Sequence, residues 1–203
     1  DWDDQPALTA TRLSAHLQSI KTEGKTVVGY AGSHGLPNAL DFFLDAAALL
    51  QDMPLAFVLV GDGHEKQRLE QRVKVEGLRN VAFFDPVPKA QIPSLLQQFD
   101  IAYIGWQRVP LYRFGIAPNK LMDYMMARCA VLHSVEAGND PVAEANCGLT
   151  VAPESAVAIA DGLRRLTAVG PTARHSMGVR GRAHVLSHHI YPVTAQRLLK
   201  AIS

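Results

Sequence analysis

Two cations and a carboxylate gather in one short stretch, Arg113-Phe114-Gly115-Ile116-Ala117-Pro118-Asn119-Lys120-Leu121-Met122-Asp123. Pro118 suits the first turn of a helix, where a missing N–H costs nothing, so a helix is expected to start there and continue through Met125. The free amides of that first turn, the helix dipole and Lys120 all favour a phosphate. Arg113 lies near enough in sequence to add a second cation of bidentate geometry. Asn119 and Asp123, one helical turn apart, project from one face, and a carboxylate there can accept hydrogen bonds from a ribose diol. Two ordinary surface charges on a solvated loop would look the same in sequence. The stretch alone does not decide.

The elements that must position these residues follow from apolar patterning. Strand-like runs occur at Thr26–Gly32, Leu55–Gly61, Val81–Phe84, Ile101–Gly105, Ala130–Ser134 and Gly148–Ala152. They are short, apolar on both sides and end in Gly, Pro or Asp, as strands buried on both faces of a parallel sheet do. Between them, Leu40, Phe43, Leu44 and Ala47 fall on one helical face, as do Ile92, Leu95, Leu96 and Phe99, and later Ile159, Leu163 and Leu166. Such alternation predicts right-handed crossovers and a doubly wound, Rossmann-like α/β sheet. Residues 7–22 read as a short helix or linker, and residues 171–202 as two helices broken near Tyr191-Pro192.

In that architecture a ligand sits beyond the carboxyl ends of the strands, at a switch in strand order. The residues there are Gly32-Ser33-His34-Gly35, Gly61-Asp62-Gly63-His64, Asp85-Pro86-Val87-Pro88 and the long loop from Trp106 to Pro118. Glycines at these turns let backbone amides approach a diphosphate, although steric reasons alone also place glycine there.

Composition narrows the field. The 203 residues carry a net charge of only +1, yet residues 1–100 hold 9 basic and 13 acidic side chains and residues 101–203 hold 11 and 6. An anionic ligand is therefore favoured by the second half. No dense Lys/Arg stripe with interleaved aromatics points to nucleic acid. No apolar run reaches the roughly 18 residues of a membrane span. The acidic start, Asp1-Trp2-Asp3-Asp4, is no secretory signal, and the lack of Met suggests processing or a start inside a longer chain. Cys129 and Cys147 have no zinc or disulfide spacing and read as buried thiols. His64-Glu65 lacks the second His of a zincin motif. His184, His188 and His189 lack an acidic or Cys neighbour, so no metal is expected. Met122, Met125 and Met126 read as core filler.

The order of the segments VVGYAGSHG (27–35), FVLVGDGHEKQRL (57–69), NVAFFDPVPKAQIPSLLQQFDIAYI (80–104), FGIAPNKLMDYMMARCAVL (114–132) and the GLTVAP strand with its following helix (148–170) resembles the C-terminal, donor-binding domain of GT-B glycosyltransferases of retaining family 4. The subgroup most similar assembles bacterial lipopolysaccharide and surface polysaccharide. The resemblance implies a UDP-sugar donor, an N-acetylated amino sugar among the candidates, transferred with retention and without a metal or other cofactor. It implies that Gly32, Ser33, Arg113, Gly115, Ile116, Ala117, Pro118, Asn119 and Lys120 face the donor's sugar and diphosphate. Gly61, Asp62, Gly63, Val87, Pro88 and Asp123 would then line the nucleoside cleft.

Two features depart from the family pattern. Gly115 stands eight positions before Asp123, where many members carry an acid, and Ser33 to Asp41 contain neither the Arg nor the Lys that usually clamps the diphosphate. The catalytic side chain is unassigned. The resemblance further implies a linker or leading helix at 1–25, a nucleotide-sugar-binding domain at 26–190, and a C-terminal helix at 191–203 that crosses to an N-terminal domain holding a saccharide or lipid-linked acceptor. It places the protein in the cytoplasm, with the inner face of the bacterial membrane as a peripheral partner. This stretch alone is expected to be inactive. A UDP-sugar epimerase-like domain and a non-catalytic nucleotide-binding scaffold are the alternatives.

Overall fold

A computed structural model describes residues 2, 6–9 and 11–189. Six strands, β1 (Thr26–Ala31), β2 (Leu55–Val60), β3 (Val81–Phe84), β4 (Ile101–Gly105), β5 (Ala130–Ser134) and β6 (Gly148–Thr150), form one sheet in the order β3-β2-β1-β4-β5-β6. Every pairing is parallel. The expected strands are all present, three of them ending one or two residues earlier because the closing Gly or Ala residues turn away. The helices are α1 (Arg12–Thr22), α2 (Leu40–Ala48), α3 (Lys66–Glu76), α4 (Ile92–Leu96), α5 (Asn119–Met126), α6 (Pro141–Glu144), α7 (Ala156–Ala168) and α8 (Gly170–His188). The C-terminal helix expected at 191–203 lies outside the described residues.

Strand alternation sends successive side chains to two separate cores. Val27, Ala56, Val58, Val60, Ala102 and Ile104 meet Leu13 and Leu17 of α1, Leu95 of α4, Leu121, Tyr124 and Met125 of α5, and Val185 of α8. Val28, Tyr30, Leu55, Phe57, Leu59, Ile101 and Tyr103 meet Phe43 and Leu44 of α2, Leu69 of α3, and Ile159 and Leu163 of α7. Phe43 stacks on Tyr103 with ring centres 4.0 Å apart. Each large apolar side chain buried this way contributes roughly 1.5–3 kcal/mol. Cys129 and Cys147 are free and buried, as expected. Met125 is fully buried, and Met122 and Met126 pack against the same core.

α1 belongs to this packing, burying Leu13, Leu17 and Ile20 against the sheet. α4 ends at Leu96, so Phe99 is not on the helix that its spacing predicts. It lies in the turn before β4, with its ring over β1, where a Cβ on Gly29 would come within 2.1 Å of it. α2 and α3 are joined by Arg68 and Arg72, which together reach the carboxylates of Asp41, Asp45, Glu65 and Glu76. The topology reverses at β1. The chain moves from β1 outward to β2 and β3, then returns to β4 on the other side. The crevice left beyond the ends of β1 and β4 receives the start of α5.

Candidate functional site

α5 begins with Asn119, and Pro118 is its extended N-cap (φ −75°, ψ 127°) rather than its first helical residue. The proline still ends the loop and starts the helix, but it sits one position earlier, because its carbonyl accepts the Leu121 and Met122 amides. No side chain caps this end. The N–H groups of Asn119 and Lys120 consequently have no hydrogen-bond partner among the described residues. The helix is anchored to β1 by Tyr124, whose hydroxyl accepts from the Ala31 amide at 2.9 Å and donates to the Ala31 carbonyl at 3.2 Å.

Lys120 turns back from α5 across the crevice to the loop after β1. Its ammonium donates to the Tyr30 hydroxyl at 2.7 Å and to Asn38 Oδ1 at 3.2 Å, and lies 4.2 Å from the Tyr30 ring centre. A side chain at Gly32 would collide with it, since a Cβ there would fall 2.8 Å from Nζ and φ is +148°. Burial pushes the ammonium pKa down to about 8. A cation therefore stands where Ser33 to Asp41 offer none. It is delivered from a residue some 90 positions later in the chain.

The glycines after β1 and β2 have a packing role. A Cβ on Gly61 would lie 1.9 Å from the Gly32 carbonyl oxygen, and one on Gly63 would lie 2.4 Å from that of His34. Both have φ near +150°. The two loops are also stitched by His34 N–H to Asp62 C=O at 2.8 Å and Gly32 N–H to Val60 C=O at 3.0 Å. The Asp62 carboxylate is exposed and accepts the neighbouring Gly63 amide at 2.8 Å. Between these loops His34 is fully buried, and neither ring nitrogen has a partner. Burial first, and then Lys66 and Lys120, push its pKa down to about 4, against a smaller upward pull from Asp62.

Val87 and Pro88 line a cleft of about 540 Å³ with Phe84, Lys66 and Gln91, closed on one side by Leu8, Thr9, Arg12 and Leu13. Asp123 is half-buried, and its carboxyl is held above the usual range by burial, with Lys89 of the same β3 loop pulling it down. Asp123 thus shares an electrostatic neighbourhood with the segment next to Val87 and Pro88.

Arg113 does not join Lys120 in any contact. It is exposed, stacked 4.7 Å from its neighbour Phe114, on a groove of about 400 Å³ shared with Arg108 and Glu136. The reason is local. Pro110–Phe114 form a 3-10 turn packed on Gly138, where a Cβ would meet the Arg113 carbonyl at 2.1 Å. Gly115 has φ +105°, a conformation that disfavours a larger side chain, the acid of the family pattern included. Ile116 is clamped by Asn139, which accepts its N–H at 2.7 Å and donates to its C=O at 3.0 Å. Ala117 and Asn119 are exposed beside it.

Tyr30, Asn38 and His34 belong to this site although their sequence signals are ordinary. Tyr30 reads as one more strand aromatic, and only its hydroxyl's contacts distinguish it.

The sequence model of the family described as glycosyl transferases group 1 matches residues 25–168. The chain belongs to that family. One relative is an Escherichia coli (strain K12) protein named as a glycosyl transferase of colanic acid biosynthesis, WcaI, 30% identical over 147 residues. The match covers 70% of this chain and 36% of WcaI, so the chain spans about a third of that relative's length. Among solved structures, the C-terminal domain of the group 1 glycosyl transferase LpcC from Francisella tularensis is similar at TM-score 0.67 and 21% identity, over 91% of this chain and 96% of that domain. Anabaena Alr3699/HepE, solved with UDP and glucose, is similar at TM-score 0.71 and 17% identity, over 97% of this chain and 53% of its own. These likenesses establish the fold, the Rossmann-like α/β unit of GT-B glycosyltransferases. No helix of the described residues is long and apolar enough to cross a membrane.

Proposed function

We propose that this family member binds a nucleoside diphosphate-sugar, UDP-linked, and is the donor half of a longer retaining glycosyltransferase. The observation that carries the reading is Lys120, a half-buried ammonium laid against Gly32 at the switch in strand order, beside the open amides of Asn119 and Lys120. A diphosphate seated there meets a positive charge, the positive end of α5 and a backbone without side chains to obstruct it. As the bond from the anomeric carbon to the diphosphate lengthens, negative charge grows on the leaving oxygen, and these donors stabilise it without reorganising. The sugar lies toward Gly115–Pro118. The nucleoside runs toward Asp123, Val87 and Pro88, with Asp123 accepting from the ribose hydroxyls.

The donor's charge is met by Lys120 and helix amides in this reading, so no metal takes part. The acceptor, a saccharide or lipid-linked saccharide of polysaccharide assembly, is held by a second domain, at the cytoplasmic face of the membrane. Calorimetric titration of the chain with UDP, GDP, ADP and NAD tests the donor. UDP should bind most tightly, and Lys120→Met should weaken it by about tenfold or more. Preference for NAD, or no nucleotide binding at all, would overturn the assignment.

A further inference from the structure

Lys120 is one corner of a closed ring of hydrogen bonds. Its ammonium donates to Tyr30 and to Asn38 Oδ1, at 2.7 and 3.2 Å. The Tyr30 hydroxyl then donates to the Ser33 carbonyl at 2.6 Å, and Asn38 Nδ2 donates to that same carbonyl at 2.9 Å. The ring is complete in the sense that each group uses its own chemistry once. A phenol can accept from the ammonium and donate onward, and an amide can accept on oxygen while donating from nitrogen. An ammonium has three protons, and two are committed here, leaving one for a ligand on the Gly32 side.

The ring ties three separate elements together. Tyr30 comes from β1, Asn38 from the 3-10 turn Leu36–Asn38, and Lys120 from the first turn of α5. Ser33 is where they converge, and its own N–H has no partner among the described residues. The carbonyl fixes the peptide plane on its C-terminal side, while Gly32 N–H is held by Val60 on the other. The orientation of the loop and the position of the cation are therefore set by the same four groups. Without the ring, a lysine with four rotatable bonds would have many ways to point away from the loop.

We infer that Tyr30 and Asn38 are positioning residues for the nucleotide, holding the Lys120 ammonium and the Ser33 loop in a single preformed diphosphate cradle. This rests on the donor reading above. Neither residue needs to touch the ligand; both act through Lys120 and Ser33.

Titration of the chain with UDP by calorimetry, and with uridine by NMR shifts, separates this role from a structural one. Tyr30→Phe keeps the ring in the core and removes only the hydroxyl, and Asn38→Ala alters a half-buried turn residue without entering the core. Each should weaken UDP about five- to tenfold and leave uridine unchanged. In the Lys120→Met background, Tyr30→Phe should cost clearly less than it does in wild type, because only its hold on the Ser33 carbonyl is left to lose. Wild-type UDP affinity in both single variants, equal losses for UDP and uridine, or losses that add to that of Lys120→Met would each overturn the inference. If Lys120→Met itself binds UDP like wild type, the donor reading falls and takes this inference with it. If Lys120→Met is weak while the other two are normal, only the positioning role is lost.

Discussion

Lys120 combines two demands that oppose each other. A buried ammonium is costly, which is why its pKa falls from 10.5 to about 8, yet a diphosphate requires the charge. Above pH 8 the folded chain holds fewer protons than the unfolded one, so the cost of the charge is present below pH 8 and relieved between there and 10.5. Two outcomes follow for one variant. Lys120→Met should raise the melting temperature at pH 7 by about 2–4 °C while it weakens UDP, a trade typical of functional sites. Wild-type affinity for UDP should also decline as pH rises through about 8 to 9.5, whereas the variant's profile should be flat in calorimetric titrations over that range. His34 works in the opposite direction on the acid side. Its folded pKa of about 4 lies below the ordinary 6.5, so stability is full above pH 6.5 and falls as pH drops toward 4. The loss is about 3 kcal/mol. Denaturant melts at pH 7 and pH 4.5 should differ less in His34→Leu than in wild type. Some slope will persist, since burial also lowers His133.

At the scale of elements, the site depends on how closely three strand-to-helix loops approach one another. The loop after β2 presses its Gly61 against the Gly32 carbonyl, a contact with no room for a methyl group. Gly61→Ala would combine a 1.9 Å clash with a strained positive φ, and the neighbour is backbone, which cannot swing aside. It should cost about 3–5 kcal/mol in chemical denaturation. Because Gly32 carries the surface against which Lys120 lies, whatever folded protein remains should also bind UDP poorly. A variant that melts like wild type would show that the two loops can separate at little cost. The groove bearing Arg113 is a different matter. It is built from the loops after β4 and β5, and it meets the β1 loop through the Gln107 N–H, which donates to the Pro37 carbonyl at 3.0 Å, rather than through Lys120.

For the whole molecule, the proposal requires a partner domain. The chain spans 36% of WcaI, and the proposed donor cradle opens at the end of the sheet, where an acceptor must be brought up from outside. The chain should therefore bind UDP but fail to turn over a UDP-sugar, and EDTA should leave that binding unchanged. Release of UDP from a UDP-sugar by the purified chain, followed by a coupled assay, would show that the chemistry is complete within it. Loss of binding in EDTA would show that a metal shares the charge now assigned to Lys120.

The fold class and the loops of the candidate site were both legible in the sequence, because they rest on local physics. Buried parallel strands need continuous apolar runs, helices need a 3.6-residue period, and a proline before a polar first turn marks a helix start. Those signals located β1 to β6 and the start of α5, and they singled out Lys120 as a candidate phosphate ligand. What lay outside their reach was direction over long sequence distances. Nothing in Arg113-Phe114-Gly115 tells that the arginine lies over Phe114 on a groove shared with Arg108 and Glu136, and nothing in a strand aromatic tells that Tyr30 presents its hydroxyl to a lysine from α5. The tertiary structure decided which cation reaches the β1 loop, and why glycine is needed at Gly61 and Gly115. It could do so because hydrogen bonds and steric contact act between groups that only folding brings within 3 Å.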